Sequence, residues 1–275
     1  MNTINKETQM DNELKEVNID RDVHSFNNQP DTKQHDYITL EMALDEESNE
    51  VNPEGRFARN RDLIPQDLLN GLSIIGCGGI GSALAIQTAI MGWEHVEFWD
   101  DDKLEIHNLS TTTYPGSYVG ECKAQAAHDM QLTFGSQVQY NTANAHIVKA
   151  EKTALLCKNV IVCTDNMKSR EDVYHAWRGH KSRNIFVDIR MGALSINVAT
   201  VTKDNDDYLN KDWYNDSDVI DEPCTQKHTI FTAQIAAGMG MKQMFLALKG
   251  VPYYSYITHN LSVEKHIVDQ DRLIL

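Results

Sequence analysis

A glycine-rich turn at residues 76–81 constrains the fold of this chain more than any other feature. The turn follows the apolar run LSII (72–75) and opens a run of small and apolar residues (80–91). Glycines permit a tight strand-to-helix turn, and they let a phosphate approach backbone N–H groups at the positive end of a helix. The glycines concerned are Gly76, Gly78, Gly79 and Gly81. The pattern predicts a nucleotide-binding turn, although a tight turn without a ligand has the same requirements.

Beyond the turn, the chain alternates strand and helix patterns. Strands are predicted at 95–100, 138–144, 159–164 and 184–189, with helices at 120–134, 149–156 and 167–180. Repetition of strand, helix and strand implies right-handed crossovers and a parallel sheet. The strand at 194–201 follows without a helix and is expected to run antiparallel, and an apolar helix at 230–248 precedes an edge strand at 252–260. We predict an α/β fold: a Rossmann-like, mostly parallel sheet with helices on both faces and antiparallel additions at the C-terminal side.

Composition separates an acidic N-terminal tail from the rest. Of the formal net charge of -15, residues 1–50 contribute -9, with 13 acidic and 4 basic side chains. Residues 1–35 are polar and aperiodic, which predicts a disordered acidic tail before a domain at 36–275. No cluster of lysine and arginine is present, so nucleic-acid binding is not expected. No apolar run approaches the ~18 residues that span a bilayer, so no membrane association is expected either.

The five cysteines are odd in number, scattered and free of C-x-x-C pairs. This usage predicts reduced thiols in a reducing compartment and therefore a cytoplasmic protein. It also argues against a disulfide framework and against a thiolate zinc site, so no structural zinc ion is expected.

Charged and polar residues follow the turn at defined points. Asp100 ends the second predicted strand, 19 residues past Gly81, where an acid can accept hydrogen bonds from ribose hydroxyls. Turn and acid together leave NAD and ATP equally open. The segments DDDKLEIHNLSTTTYPGSYVGECKAQAA and CTDNMKSR then supply Asp102, Asn108, Lys123, Asp165 and Arg170.

In this order the motifs resemble the ThiF family. Its members share a glycine-rich loop, a D-x-D-x-V-x-x-x-N-L segment, a V-G-x-x-K-A helix start and a later T-D-N-x-x-x-R, and the likeness covers roughly residues 56–250. Family members are ATP-dependent enzymes that adenylate a carboxylate, commonly the C-terminus of a ubiquitin-like or sulfur-carrier protein. The resemblance implies ATP and Mg²⁺ as cofactors and such a protein as the partner.

The resemblance also implies roles for individual residues. Asp100 is expected to bind the ribose, Lys123 to contact phosphates, and Asp165 to serve Mg²⁺ or the reacting phosphate, with Asp102 and Asn108 beside the nucleotide. A carboxylate that attacks an α-phosphate needs charge neutralisation and in-line positioning more than acid–base chemistry. A lysine, a metal-holding aspartate and arginines are the residues expected for this task. Taken singly, Lys123 also fits a solvated charge at a helix start, and Asp165 fits a helix N-cap.

An arginine of the N-terminal region has a counterpart in the family. The segment Arg56-Phe57-Ala58-Arg59-Asn60 matches an R-Y-x-R-Q-like segment whose second arginine reaches the nucleotide site of a neighbouring subunit. The resemblance therefore implies that Arg59 acts in trans in a homodimer or a heterodimer, and a homodimer is expected. The alternative is an ordinary surface arginine.

One position departs from the family pattern. The family has N-L-x-R-Q with its arginine on the ATP phosphates, whereas this chain has Thr111 at that point. Threonine cannot supply a guanidinium group. Either another arginine substitutes, with Arg190 better placed than Arg170 because it ends a strand at the expected active edge, or phosphate activation is impaired.

Cys224 lies in the polar loop 203–227, before the C-terminal helix. Many family members carry there a reactive cysteine that accepts the activated protein. A nearby helix N-terminus and Lys227 or His228 would favour its thiolate. The alternative is a loop thiol without chemistry.

Three functions follow, in decreasing order of support. The first is adenylation of a carboxylate, with possible transfer to Cys224. The second is a catalytically inactive nucleotide-binding partner of an activating enzyme, which the residue at Thr111 favours. The third is an NAD-dependent oxidoreductase, which leaves Lys123 and the T-D-N motif unexplained.

Overall fold

The computed structural model describes residues 53–60, 62–135, 142–152, 154–215 and 229–275. The predicted tail at 1–35 lies outside these residues, and so does Cys224.

Six helices and ten strands lie within the described ranges. The helices are α1 (Pro53–Arg56), α2 (Gly79–Met91), α3 (Lys123–Gly135), α4 (Met167–Gly179), α5 (Tyr208–Lys211) and α6 (Ile230–Lys249). The strands are β1 (Leu72–Ile75), β2 (His95–Trp99), β3 (Thr142–His146), β4 (Asn159–Val162), β5 (Ile185–Met191), β6 (Ser195–Thr202), β7 (Tyr253–Tyr254), β8 (Tyr256–Asn260), β9 (Lys265–Val268) and β10 (Leu273–Ile274).

Glycines and short polar side chains set the ends of the longer helices. The α2 helix stops at Gly92, whose φ of 89° is the left-handed conformation that glycine adopts without a steric penalty. The Asn166 and Thr229 side chains cap α4 and α6 by accepting from Ser169 N–H and Thr232 N–H, at 2.8 and 3.2 Å. These caps fix the first residues of α4 and α6.

Eight strands form one sheet in the order β3-β2-β1-β4-β5-β6-β8-β9. The strands from β3 to β5 run parallel, and β6, β8 and β9 add antiparallel pairs. This arrangement confirms the predicted fold class. The expected edge strand at 252–260 is wrong in one respect, because β8 lies inside the sheet and β9 forms its edge.

The helix predicted at 149–156 is also wrong, since the described residues of that segment carry no helix. The side chain of Leu156 is buried with Ile75 and Val160, whereas Leu155 is 86% exposed. Packing of this segment on the sheet therefore overrides the helical preference of its leucines and alanines.

The two faces of the sheet carry different cores. Helices α2, α3 and α6 cover one face, and α4 and α5 cover the other. Alternate residues of β5 face the two cores, as the pleat of a strand requires. Val187 and Ile189 join the first core and Phe186 the second, while Asp188 and Arg190 share the face of Phe186.

The carboxyl ends of the parallel strands meet at one edge of the sheet. Ile75 is level with both Trp99 and Val162, and Val162 is level with Asp188. The chain therefore leaves β1, β2, β4 and β5 beside one another, and the strand order reverses at β1. Open α/β sheets bind ligands at such a switch point.

A helix that spans a bilayer must be long and apolar. Within the described ranges, no helix is long and apolar enough to span a membrane.

Candidate functional site

The glycine-rich turn is folded so tightly that three of its positions exclude a side chain. Gly76 has a φ of 94°, and a Cβ atom there would lie 2.9 Å from the Cys163 carbonyl oxygen. A Cβ on Gly79 would lie 2.8 Å from the Thr111 carbonyl oxygen. A Cβ on Gly81 would lie 2.0 Å from the Gly76 carbonyl oxygen. Gly78 differs, because a Cβ there would meet nothing within 4 Å. The turn is thus closed towards the sheet and open at Gly78.

The open side of the turn is the start of α2. Its N-cap is Gly78, which supplies no side-chain hydrogen bond to the first turn of the helix. The leading N–H groups of a helix have no partners within the helix, and they carry the positive end of its dipole. The sequence thus builds a site that suits a phosphate.

Asp100 is fixed beside this turn by backbone donors. Its carboxylate accepts from Cys77 N–H at 2.7 Å and from Asp102 N–H at 2.8 Å. Burial raises the pKa of Asp100, and these N–H groups and Lys123 counteract that effect. Each carboxylate oxygen keeps a second lone pair, so the group can still accept from a hydroxyl.

Lys123 begins α3 and points its ammonium group at Asp102. The Lys123 Nζ to Asp102 Oδ2 distance is 2.9 Å, and the lysine side chain is 13% exposed whereas Asp102 is 68% exposed. The solvated-charge interpretation of Lys123 is therefore wrong. An ion pair with so exposed a partner contributes little. A phosphate can therefore replace Asp102 as the partner of Lys123.

The segment after Asn108 packs on the glycine-rich turn. The Asn108 side chain accepts from Glu105 N–H at 3.0 Å, and the Thr111 hydroxyl donates to the Asn108 carbonyl at 3.1 Å. The Tyr114 hydroxyl donates to the Cys77 carbonyl at 2.8 Å. In this structure Asn108 stabilises a 3₁₀ turn, and the Thr111 position supplies a hydroxyl and no cation.

Asp165 follows β4 and is exposed. Its Oδ1 accepts from the Asn166 side chain at 3.0 Å, while Asn166 itself caps α4. The N-cap interpretation of Asp165 is therefore wrong. Among the described residues Asp165 belongs to no cluster of three or more metal-ligating side chains. A single carboxylate suits Mg²⁺, which is commonly held by one or two carboxylates together with substrate phosphates and water.

Arg170 lies beneath Asp165 and is 5% exposed. Its guanidinium group donates to the carbonyl oxygens of Thr164 and Ile189 and to the Asp188 carboxylate. Because Thr164 immediately precedes Asp165, Arg170 holds the turn that carries Asp165.

Arg190 belongs to a buried charge cluster on the α4 face. We define this cluster as Arg170, Asp188, Arg190 and Tyr208. Arg190 donates to Asp188 through Nε at 2.6 Å, and the Tyr208 hydroxyl donates to the same carboxylate at 2.7 Å. Burial alone would raise the pKa of Asp188, but the two guanidinium charges outweigh it and lower that pKa.

The buried charge cluster is not neutral. It holds the two guanidinium groups of Arg170 and Arg190 against one carboxylate, and Arg190 is 6% exposed. Within the described part of the chain, Arg190 Nη1 has no hydrogen-bond partner. A buried donor without a partner costs free energy, so an anionic group beside Arg190 would stabilise the cluster.

The N-terminal arginines differ in environment. Arg56 donates to the Phe134 carbonyl at 2.7 Å and to the Ala89 carbonyl at 3.2 Å, which ties the segment to α2 and α3. Arg59 is exposed. The proposed trans role of Arg59 stays a prediction.

Two of the described cysteines line the core of the turn. Cys77 is fully buried, and the Cys163 thiol donates to the Gly76 carbonyl at 3.1 Å. Burial raises the pKa of Cys163 to about 12. These thiols are packing groups, and the reactivity proposed for Cys224 stays a prediction.

The sequence interpretation missed Asp188 and Tyr208. Asp188 and Arg190 are the two charged residues of the strand IFVDIRM, and an acid at a buried strand position signals a charged partner on the same face. Tyr208 lies in a polar loop and gives no comparable signal, because its contact with Asp188 depends on the tertiary fold.

Together these features define a Rossmann-like α/β protein with a glycine-rich turn at its switch point, flanked by a partly buried lysine and an exposed aspartate. The ThiF family model matches residues 70–246, so the chain belongs to the ThiF family.

Curated relatives match a shorter stretch. Molybdopterin-synthase adenylyltransferase of Escherichia coli (strain K12) is 29% identical over 103 residues, which is 36% of this chain and 41% of that protein. Ubiquitin-like modifier-activating enzyme 5 of Caenorhabditis elegans is 27% identical over 112 residues, which is 36% of this chain and 27% of that protein. The matches thus span less than half of each relative.

Solved structures support the fold over a larger share of the chain. PaaA superposes with a TM-score of 0.58 at 18% identity, covering 76% of this chain and 67% of its own. Escherichia coli MccB with MccA-N7isoASN superposes with a TM-score of 0.63 at 14% identity, covering 80% and 72%. At these identities the likeness concerns the fold alone.

Proposed function

We propose that this protein adenylates a carboxylate at the expense of ATP. The observation that carries the proposal is the uncapped start of α2 at Gly78, with Lys123 on one side and Asp165 on the other. The carboxylate oxygen forms a bond to the α-phosphorus, the bond from that phosphorus to the bridging oxygen breaks, and pyrophosphate leaves. The product is an acyl adenylate.

Each residue of the site has a task that suits this reaction. The first N–H groups of α2 bind phosphate oxygens. Lys123 leaves Asp102 and neutralises the charge of these oxygens. Asp100 accepts a ribose hydroxyl, and Asp165 holds Mg²⁺. Mg²⁺ bound to ATP supplies further charge neutralisation at the phosphates. Preorganised donors and cations of this kind are the main source of catalysis in phosphoryl and nucleotidyl chemistry.

Arg190 is our candidate for the cation that Thr111 does not supply. Its unpartnered Nη1 and the excess positive charge of its cluster support that role. Its position also supports the role, because it lies two residues beyond Asp188 at the edge where β1 and β4 end. Arg170, whose donors are already engaged, then serves to position Asp165.

The proposed acyl substrate is the C-terminus of a ubiquitin-like or sulfur-carrier protein, or of a short peptide. Support comes from the names of the relatives, one a molybdopterin-synthase adenylyltransferase and one an activating enzyme of a ubiquitin-like modifier, and from the MccB structure with its MccA variant. Cys224 is the proposed acceptor for a later transfer. Arg59 is the proposed trans residue of a homodimer, and the free thiols suit the cytoplasm.

A second function is an inactive nucleotide-binding partner of an activating enzyme. The observation that favours it is the hydroxyl at Thr111, which turns back to Asn108 and leaves the phosphate side of the turn without a guanidinium group. In that case the protein binds ATP but forms no adenylate.

Trapping of the adenylate separates the two functions. The protein is incubated with ATP, Mg²⁺, hydroxylamine and a candidate carrier protein, and the carrier is examined by mass spectrometry. A C-terminal hydroxamate that requires ATP and disappears in Asp165→Asn supports adenylation. Binding of ATP by calorimetry without any hydroxamate from a panel of carriers and peptides supports the inactive partner.

A further inference from the structure

Three side chains that can bind a metal meet on the α4 face of the sheet, away from the carboxyl edge. They are His95, Glu97 and Cys157, and their ligand atoms all lie within 4.8 Å of one another. His95 and Glu97 alternate along β2, so they share a face, while Val96 between them packs in the opposite core. Cys157 lies two residues before β4. We call this group the His–Glu–Cys cluster.

Backbone and side-chain hydrogen bonds hold the cluster together. Ser73 of β1 is level with Glu97, and its hydroxyl donates to Glu97 Oε2 at 2.7 Å. The same hydroxyl oxygen accepts from Cys157 N–H at 2.8 Å. Ser73 thereby fixes the positions of Glu97 and Cys157 relative to each other, as the surroundings of a metal site do for its ligands.

The hydrogen bonds of His95 set the direction of its free lone pair. His95 Nδ1 lies 2.8 Å from the Thr142 hydroxyl oxygen, and that hydroxyl donates to the Glu94 carbonyl at 3.3 Å. The threonine oxygen therefore accepts, and His95 Nδ1 donates. In the neutral ring the lone pair then resides on Nε2, which faces Glu97 Oε1 at 3.5 Å.

Two lone pairs that face each other at this distance repel unless a positive charge lies between them. The side chains of His95 and Glu97 are 33% and 16% exposed, and among the described residues His95 is the ion-pair partner of Glu97. A cation bound between these two atoms would remove the repulsion. Two ligands of a tetrahedral zinc ion, at bond lengths of ~2.0–2.1 Å, lie about 3.3 Å apart, which is close to the observed separation.

We propose that the His–Glu–Cys cluster is a zinc site. A set of one imidazole nitrogen, one carboxylate oxygen and one thiolate sulfur suits Zn²⁺ and does not suit Mg²⁺, which takes oxygen ligands. Water completes a tetrahedron around three protein ligands. Binding releases the proton of the Cys157 thiol, because the thiolate is the ligand.

This site differs from the sites discussed above in place and chemistry. It uses none of the residues assigned to ATP or Mg²⁺, and it contains no pair of closely spaced cysteines. It joins β2 to the segment that leads into β4, and β4 in turn leads to Asp165. Zinc therefore contributes to holding the strand that carries the proposed magnesium ligand.

Cobalt is a suitable probe because its thiolate complexes have a charge-transfer absorption that carboxylate and imidazole complexes lack. The purified full-length chain is treated with a chelator and titrated with Co²⁺, and Zn²⁺ is then added. We expect a thiolate-to-cobalt band that saturates at one equivalent and is abolished by one equivalent of Zn²⁺. We also expect loss of the band in Cys157→Ser and its retention in the matched controls Cys122→Ser and Cys224→Ser.

Two conservative variants keep the test decisive if Cys157→Ser fails to fold. Thr142→Val removes the acceptor that orients His95, and it should weaken Zn²⁺ binding by about 10–100-fold, the usual effect of losing such a partner. Glu97→Gln should weaken it further. Absence of the cobalt band from the folded wild-type chain, or its persistence in folded Cys157→Ser, would overturn the proposal.

Discussion

The glycine-rich turn and the buried charge cluster lie at the same edge of the sheet but are built in opposite ways. The turn consists of backbone: Gly76 and Gly81 allow the chain to close on itself, and Gly78 leaves donors open. The cluster consists of side chains from β5, α4 and α5 that meet only in the folded protein. The turn depends on glycines that have no side chains, whereas the buried charge cluster depends on each of its four side chains.

The largest expected effect comes from breaking the cluster at Asp188. Asp188→Ala leaves two buried guanidinium groups without their shared carboxylate, and it should lower the free energy of unfolding by about 3–5 kcal/mol. Urea denaturation measures the change. Asp172→Ala, which breaks ion pairs to the exposed Lys152 and Lys168, is the matched control and should have a much smaller effect. Equal losses in the two variants would contradict the account of the cluster.

Within the turn, two glycines should behave differently. Gly81→Ala places a methyl group against the Gly76 carbonyl and should destabilise the fold by roughly 1–3 kcal/mol or more through overpacking. Gly78→Ala has open space, so it should cost less stability while weakening ATP binding. Thermal unfolding and calorimetric titration with ATP check both effects. A Gly78→Ala protein that binds ATP as well as wild type would remove Gly78 from the site.

The two regions should also respond to pH with opposite signs. The pKa of Asp188 is lowered, so the stability it contributes is present above its unfolded pKa of ~3.9 and is lost as the pH falls through the lower folded value. The pKa of Asp100 is raised, so its ionisation opposes folding as the pH rises from that unfolded value to the folded one. Carboxyl-carbon NMR titration should place Asp188 below and Asp100 above the ordinary value. Titration of both on the same side would refute this contrast.

The smallest stability effect is expected at the rim of the turn. Asp102→Ala removes an ion pair whose acidic partner is 68% exposed, so unfolding should change by less than about 1 kcal/mol. Lys123→Ala should change the free energy of unfolding by about as little as Asp102→Ala. It should weaken ATP binding, however, because the Lys123 ammonium group is proposed to bind a phosphate. Calorimetry on both variants tests this. If Asp102→Ala impaired ATP binding as strongly as Lys123→Ala, this result would contradict the proposal that Lys123 leaves Asp102 to bind a phosphate.

The contrast explains what the sequence revealed and what it concealed. The turn, its flanking strand and helix, and the parallel sheet follow from local patterns of glycine and apolar residues, and the structure agrees with them. The helix expected at 149–156 failed because burial of Leu156 under the sheet outweighs local preference. The edge of the sheet was assigned to 252–260 instead of β9, because the exposed residues of β9 give a weak strand signal.

The candidate site shows the same difference between features set by local motifs and features set by tertiary contacts. Asp100, Lys123 and Asp165 were proposed as site residues because each belongs to a short motif, but the partial burial of Lys123 and the capping of α4 by Asn166 rather than Asp165 required the structure. Asp188 was missed although Arg190 lies two residues further along the same strand, because its second partner, Arg170, comes from α4. His95 and Cys157 are 62 positions apart in the chain, so nothing in the linear sequence indicates that they meet.

The exchange of radiolabelled pyrophosphate into ATP tests the central claim most directly. We predict exchange that depends on a carrier protein or peptide with a free C-terminal carboxylate and is abolished in Asp165→Ala, with the fold of that variant verified by circular dichroism. Exchange that is equally fast without an acceptor or in Asp165→Ala, or no exchange with any acceptor by a protein that binds ATP, would contradict adenylation at this site.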